Sequence, residues 1–313
     1  MDFEKETVNR FIADELNRYC YWIEERERIR YLKEEARQEP PWTSDPILKE
    51  FKFCQVFRED DRTTRWFRSH IREPLRDKPE VFMATIAFRF FNLIETGRTL
   101  LDNNLHIHWD REKAIQEIKK NPKWITGAYI VKSPNRMDKV TGVTECVSHI
   151  WDDRENIIRK LESFTTLEQA WKFLLQYPYI GPFVSYEMVT DLRHTYLLDT
   201  ATDICTWGNP GPGAMRGLNR LTGRELTFCK RSWDWQSEMQ DLYDWCSQEL
   251  DLSKFNYPFE MREVEGGLCE FDKYSRILKG QGRTRSVYNY AQKDRPLIED
   301  IENGESRWEN LKN

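Results

Sequence analysis

Residues 177–218 read YPYIGPFVSYEMVTDLRHTYLLDTATDICTWGNPGPGAMRGL. A tight turn at Ile180-Gly181 feeds a helix whose first residue is Pro182, a position where the missing N–H costs nothing. Two acids follow, Asp199 and Asp203, then a glycine-proline loop over residues 208–213, then Arg216. A glycine turn at a helix start leaves backbone N–H groups without partners, and the helix dipole adds its positive end. Together these can hold a phosphate. Two packed helices do not need so much polar apparatus.

Working outward toward the N-terminus, residues 2–38 predict a helix, because Val8, Phe11, Ile12, Leu16, Tyr19, Trp22 and Ile23 recur at helical spacing. Pro40-Pro41 stops it. Arg58, Arg62, Arg65 and Arg72 then fall on one face of an expected helix, with Asp60 and Asp61 among them. Such a face is either solvated and laced with its own ion pairs, or a phosphate-holding stripe whose arginines the aspartates keep in place. Pro79 starts the segment PEVFMATIAFRFFNLIETGRTLL, apolar nearly all round yet carrying Arg89 and Asn92 at i, i+3. A buried arginine must be paired, so a polar pocket is expected there, with Glu95 or Asp61 as counter-ion.

Further along, His106-x-His108 lacks Cys or His partners at ligand spacing, and no metal site is expected. Asp110 caps a helix running to Lys120, and residues 124–131 (WITGAYIV) read as a strand or an embedded loop. Residues 139–164 predict one helix, Thr165-x-x-Glu168 a capping box, and residues 233–250 another helix. Residues 219–230 carry Arg220, Arg224 and Lys230, with Arg231 next to them. In residues 266–290, Lys273, Arg276, Lys279, Arg283 and Arg285 alternate with tyrosines. That mixture suits a nucleic-acid strand or a surface helix. From Asp294 the chain is polar and is expected to fray.

The 313 residues and twelve tryptophans supply ample core, and a formal net charge of -5 argues against a nonspecific polycation while leaving room for a local basic groove. No apolar run reaches the length of a membrane span, and the first residues lack a signal-peptide core. Seven scattered cysteines without a C-x-x-C pair point to a reduced, cytoplasmic protein without a zinc ribbon or iron–sulfur centre. No G-x-x-x-x-G-K-[ST] loop occurs, which excludes a P-loop kinase. The expected organisation is an N-terminal helix over 1–40, a helical catalytic domain over 41–290 and a polar tail over 291–313.

Tyr179-Ile180-Gly181-x-x-x-Ser185 resembles the helix–hairpin–helix pattern of DNA glycosylases, with Tyr179 where the first glycine stands. Adding PWTSDPIL, FCQVFREDDRTTRWF, ETGRTLL, WITGAYIV, YEMVTDLR, TDICTWGNPGPGAMRGLNRL and LCEFDKYSR, the chain is similar over residues 41–276 to the alpha-glutamyl/putrescinyl thymine pyrophosphorylase family, the phage amino acid:DNA transferases. Gln55 departs from the asparagine of that pattern. The resemblance implies an all-α, helix–hairpin–helix glycosylase-like fold of two helical lobes around a cleft. It implies double-stranded DNA carrying 5-pyrophosphoryloxymethyluracil as substrate and a free amino acid or polyamine as amine donor. It also implies a link to a 5-hydroxymethyluracil DNA kinase, with no membrane and no resident cofactor beyond Mg²⁺ on the pyrophosphate.

That chemistry needs a base to neutralise the amine, for which Asp203 comes first, Asp199 second, with Asp61 as a third catalytic acid. It needs cations and N–H donors on the leaving group, which Arg58, Arg62, Arg65, Arg216 and the backbone of Gly211 and Gly213 would supply. A flipped base needs an aromatic wall, Trp207 or Tyr186. Arg89 with Asn92 would take the carboxylate of an amino acid, while Gly181, Ser185, Arg220, Lys273 and Arg276 would hold DNA. The competing readings are a base-excising glycosylase using the same hairpin and acid, and a non-catalytic DNA-binding module that accompanies the kinase.

Overall fold

The structure is a computed structural model that describes residues 10–230, 232–284 and 286–288. Its helices, in chain order, are α1 Ala13–Arg30, α2 Pro46–Glu50, α3 Arg62–Phe67, α4 Glu73–Leu75, α5 Glu80–Phe91, α6 Ile94–Asp102 and α7 Arg111–Ile118. They continue with α8 Lys139–Asp152, α9 Arg154–Leu161, α10 Leu167–Leu174, α11 Pro182–Leu192, α12 Pro212–Thr222, α13 Trp235–Glu249 and α14 Met261–Leu278. Among the described residues the β-structure amounts to one isolated bridge, Phe51 to Val287. The fold is mainly helical, as expected from the sequence. No described helix is long and apolar enough to cross a membrane.

The described residues form two compact units, one within Met1–Asp61 and Ile204–Arg295, the other within Arg62–Asp203. In the first unit, Leu16, Tyr19, Trp22 and Ile23 of α1 pack with Ala214, Leu218 and Leu221 of α12 and with Val264, Leu268 and Phe271 of α14. Each large apolar side chain buried this way contributes about 1.5–3 kcal/mol. The N-terminal helix expected over residues 1–40 contributes α1, a wall of this core. Asp45 starts α2 by accepting from the N–H groups of Ile47 (2.8 Å) and Leu48 (3.0 Å), with Pro46 behind it.

In the second unit α5 is buried from Val81 to Phe91, and Trp66, Phe67, Ile71, Ala84 and Phe88 form a cluster against it. The long helix expected from Pro79 is two helices, because Asn92 takes the left-handed conformation (φ 47°) and ends α5 there. The helix expected over 139–164 likewise breaks, at Asp153, whose carboxylate accepts the Tyr177 hydroxyl. Residues 124–131 are the embedded loop of the two alternatives. Thr96 Oγ1 donates to the Trp124 carbonyl (2.6 Å), Thr126 N–H to the Phe91 carbonyl (2.8 Å), and Tyr129 Oη to the Arg89 carbonyl (2.7 Å). The cap of α10 is Thr166, not Thr165: its hydroxyl accepts from Gln169 N–H at 3.2 Å.

A short turn joins α10 to α11. Tyr179 adopts φ 67°, the left-handed turn that a glycine would take more easily, and Gly181 caps α11 with Pro182 as its first residue. Trp171 Nε1 donates to the Pro182 carbonyl (2.9 Å), and Ser185 Oγ donates to the Trp171 carbonyl (3.0 Å), so the two helices are stapled side chain to backbone.

Candidate functional site

In the second unit the expected site residues turn largely inward. Asp203, 9 % exposed, accepts from the N–H groups of Leu167 (2.6 Å) and Glu168 (3.0 Å), one on each carboxylate oxygen. Those are the first two amides of α10, which would otherwise lack partners. Asp203 is therefore a helix cap supplied from outside the helix, the place in the structure of the acid expected first as general base. Arg89 is 2 % exposed, and its counter-ion is Asp191, neither Glu95 nor Asp61. Its Nε and one terminal nitrogen grip the two Asp191 oxygens, the latter at 2.9 Å. Further bonds reach Asn92 Oδ1 (2.7 Å) and Thr64 Oγ1 (3.1 Å), and the guanidinium lies over the Phe67 ring. A fork so filled by a carboxylate of its own chain does not await the carboxylate of an incoming amino acid.

Ser185 is wholly buried, so its expected contact with DNA gives way to the staple on Trp171. Gly181 lies open: a Cβ built there meets no atom within 4 Å. Asp199 sits on an exposed turn. The arginine stripe does not exist as one helical face. Arg58 belongs to a short 3₁₀ turn, Arg58–Asp60, and Asp61 is extended (ψ 129°). The chain then passes into the second unit at Arg62, where Arg62 and Arg65 lie on α3 and Arg72 is 1 % exposed in a π-helical turn. An extended residue resets the rotation, so offsets of four and seven no longer mean one face.

In the first unit the structure brings a different set together, on α12 and α14. The two helices touch backbone to side chain because α12 carries glycines: a Cβ at Gly213 would sit 2.4 Å from Cys269 Sγ, and one at Gly217 would sit 2.4 Å from the Leu268 carbonyl oxygen. Gly213 thus serves helix packing, in place of its expected role under a phosphate. Gly211, the cap of α12, gives its N–H to Glu265 Oε1 (3.2 Å), and Glu265 Oε2 accepts from Arg262 (2.7 Å). The anion expected at this helix start is supplied by the chain itself.

Further along α12, Arg216 Nε and Arg220 Nε each donate to Asp272, both at 2.8 Å, to opposite oxygens. Arg220 is 5 % exposed and also bonds Gln281 (2.9 Å), so it is a structural arginine and not the DNA contact expected of it. Arg216 differs: its Nε is fixed by Asp272, while its side chain stays 42 % exposed. Lys273 pairs with Glu270, whose other oxygen accepts from Cys54 N–H (3.1 Å). Burial works to lower the Lys273 pKa, and Glu270 nonetheless holds it above the ordinary value. Arg276 is half-buried beside Gly282. Trp207 is half-buried just before Gly208, whose N–H donates to Gln236 (3.2 Å).

Sequence reasoning passed over the acids of α14. Glu263 is buried, and burial, then Glu260, push its pKa up to about 8. Glu263, Glu265, Glu270 and Asp272 each take a donor from the chain. For Glu270 and Asp272 the signal was present in the quoted LCEFDKYSR, where Lys273 follows Glu270 at i, i+3 and Arg276 follows Asp272 at i, i+4; Glu263 and Glu265 lie before it. No group of three or more acids, histidines or cysteines able to hold a metal occurs among the described residues.

The family described as the 5-hmdU DNA kinase, helical domain, matches residues 14–283, nearly the whole of both units. The chain belongs to this family. It is similar to a protein of Bacillus phage SP10 named 5-hmdU DNA kinase, with 25 % identity over 314 residues. That match covers 89 % of this chain and 47 % of the relative, so the chain spans about half the length of the curated relative it matches. No solved structure matches.

Proposed function

We propose that the chain modifies thymine-derived bases in DNA, replacing the pyrophosphate of 5-pyrophosphoryloxymethyluracil with an amine. The amine nitrogen attacks the exocyclic methylene carbon, the carbon–oxygen bond breaks, and pyrophosphate leaves with the electron pair. The proton released by the new ammonium passes to a carboxylate. Membership in a family defined on 5-hmdU DNA kinases supports a DNA base bearing an oxidised methyl group as the target. The lack of a P-loop in these 313 residues supports a task other than P-loop phosphoryl transfer.

The observation that carries the reading is Arg216. A guanidinium anchored at one edge by Asp272 and 42 % exposed is a fixed cation, which is what a departing pyrophosphate requires. In this reading Arg58 assists it and Trp207 walls the base. With Asp203 committed to α10, the base falls to Asp61, half-buried at the end of the Arg58 turn. The test is incubation of the full chain with pyrophosphorylated hydroxymethyluracil DNA and an amine mixture, then digestion to nucleosides and mass spectrometry. An aminomethylated nucleoside with released pyrophosphate is expected, abolished in Arg216→Ala. No adduct with any amine would sink the reading.

A non-catalytic DNA-binding module is the second reading, favoured by the inward commitment of Asp203, Arg89 and Arg220. It wins if DNA binds with a steep salt dependence and no product forms.

A further inference from the structure

In the second unit, residues 118–137 carry five cations and no acid, in a chain whose formal net charge is -5. Two of the five are engaged within the protein, Lys119 with Asp138 (3.0 Å) and Lys120 with Glu117 (2.6 Å). Lys123, Lys132 and Arg136 are exposed and make no ion pair among the described residues. Between them in sequence stands Ile130, 87 % exposed.

The neighbours of Ile130 fix it there. Tyr129 gives its hydroxyl to the Arg89 carbonyl (2.7 Å), while Val131 is buried and its carbonyl accepts from Lys139 Nζ. A side chain between two anchored residues is held out as a fixed tip. The Tyr129 ring also meets the Phe183 ring edge-on, with centroids 5.1 Å apart, which joins the loop to the first turn of α11. Phe183 and Tyr179 at that turn are themselves exposed, and Gly181 between them is open. One exposed apolar side chain is ordinary, but a group of them bordered by unpaired cations marks an interaction surface.

We propose that this face binds duplex DNA, with Lys123, Lys132 and Arg136 on phosphates and Ile130 as a wedge between base steps. A duplex offers a dense line of negative charge beside an apolar stack, which matches cations set around one aliphatic tip. The acid-free stretch adds no repulsion toward a polyanion, unlike the chain taken whole. The choice of DNA as occupant rests on the proposed substrate; it does not need the transfer step.

The test is fluorescence anisotropy of the full chain with a labelled duplex of about 20 base pairs carrying several 2-aminopurines, titrated with salt. Replacing each of the three cations by alanine should lower the slope of log K against log salt by about 0.9, and the triple variant should bind roughly ten-fold or more weakly. Lys120→Ala removes the same charge from a paired cation and should leave slope and affinity unchanged. Ile130→Ser should keep the slope, lose the rise in 2-aminopurine fluorescence that reports unstacking, and bind roughly five-fold or more weakly; Ile130→Leu should restore both. All these side chains are exposed, so circular dichroism should not change. No binding to the duplex, a wild-type slope in the triple variant, or an unchanged 2-aminopurine signal in Ile130→Ser overturns the proposal. So does preference for phosphatidylserine vesicles over the duplex. Binding without any nucleoside adduct keeps this surface and removes the transferase reading. Adducts formed at full rate by the triple variant and by Ile130→Ser do the reverse.

Discussion

Asp203→Asn and Asp203→Ala decide whether this acid holds a helix or moves a proton. The carboxylate, 9 % exposed, accepts from the Leu167 and Glu168 amides at 2.6 and 3.0 Å. Loss of a helix cap costs about 0.5–2 kcal/mol, and a hydrogen bond to a charged group contributes about 1.5–3 kcal/mol. The two bonds share one carboxylate and do not add, and Glu168 is near enough to solvent for water to replace part of its bond. Alanine should therefore cost about 2–4 kcal/mol and asparagine, which keeps one oxygen, about 1–2 kcal/mol. At about 2–4 °C of Tm per kcal/mol, the alanine variant should melt roughly 5–15 °C lower. Urea unfolding followed by far-UV circular dichroism, with the melt beside it, reads both. The order wild type, Asn, Ala is expected, with transfer activity following the folded fraction. An asparagine variant of full stability and no turnover would refute the cap and restore the base.

Asp61→Asn should leave the chain folded by far-UV circular dichroism yet lose nucleoside adduct formation by at least a hundred-fold. Gly217→Ala drives a Cβ to 2.4 Å from the Leu268 carbonyl, which is backbone and cannot swing aside, so it should destabilise by about 1–3 kcal/mol in urea unfolding. Gly266→Ala on α14 meets no atom within 4 Å and should stabilise by about 0.5–1 kcal/mol. Asp191→Asn strands the Arg89 charge and should cost about 3–5 kcal/mol by the same measurement.

Glu263 makes stability depend on pH. Its folded pKa, about 8, lies above the ordinary 4.5 because burial favours the neutral form. Below pH 4.5 the acid is protonated folded or unfolded and nothing is lost. As pH rises toward 8 only the unfolded chain ionises, so stability falls through that window and levels off above it. Glu263→Gln should flatten the slope of urea-derived stability between about pH 5 and 8; an unchanged slope would place the titrating group elsewhere.

Periodicity alone was enough to read the helical class, the burial of α5 and the Asp110 cap, whose carboxylate accepts from Lys113 N–H at 2.9 Å. Each of these is settled within one or two turns of chain. Helix interruptions were harder, because Asn92 and Asp153 break helices for reasons that lie in a backbone angle and in a hydroxyl reached from Tyr177. Burial within the candidate site was beyond local pattern. Arg216 was visible as a cation after a glycine loop, but Arg220, four residues away and chemically identical, differs from it only in burial, which no local pattern records. The cap that Asp203 makes was hidden for a related reason. Its partners lie 35 and 36 residues back, and a carboxylate that caps a distant helix looks in sequence like one awaiting a proton. The arginine stripe failed at a single extended residue, Asp61, which spacing arguments assume away.

The close seating of α12 on α14 has a mechanical consequence. Where Gly217 lies against the Leu268 backbone there is no side-chain cushion to shear, so neither helix slides or rolls without carrying the other. Arg216, Arg220 and the acids of α14 then behave as points on one rigid plate. A ligand pulling on Arg216 must displace the whole plate or wait for a neighbouring loop to come to it. Accommodation of ligands of different size is thereby assigned to the segments that border the plate, such as the chain at Cys54, whose N–H rests on Glu270, and a tether placed there would narrow the range of ligands accepted while leaving the helix pair as it is.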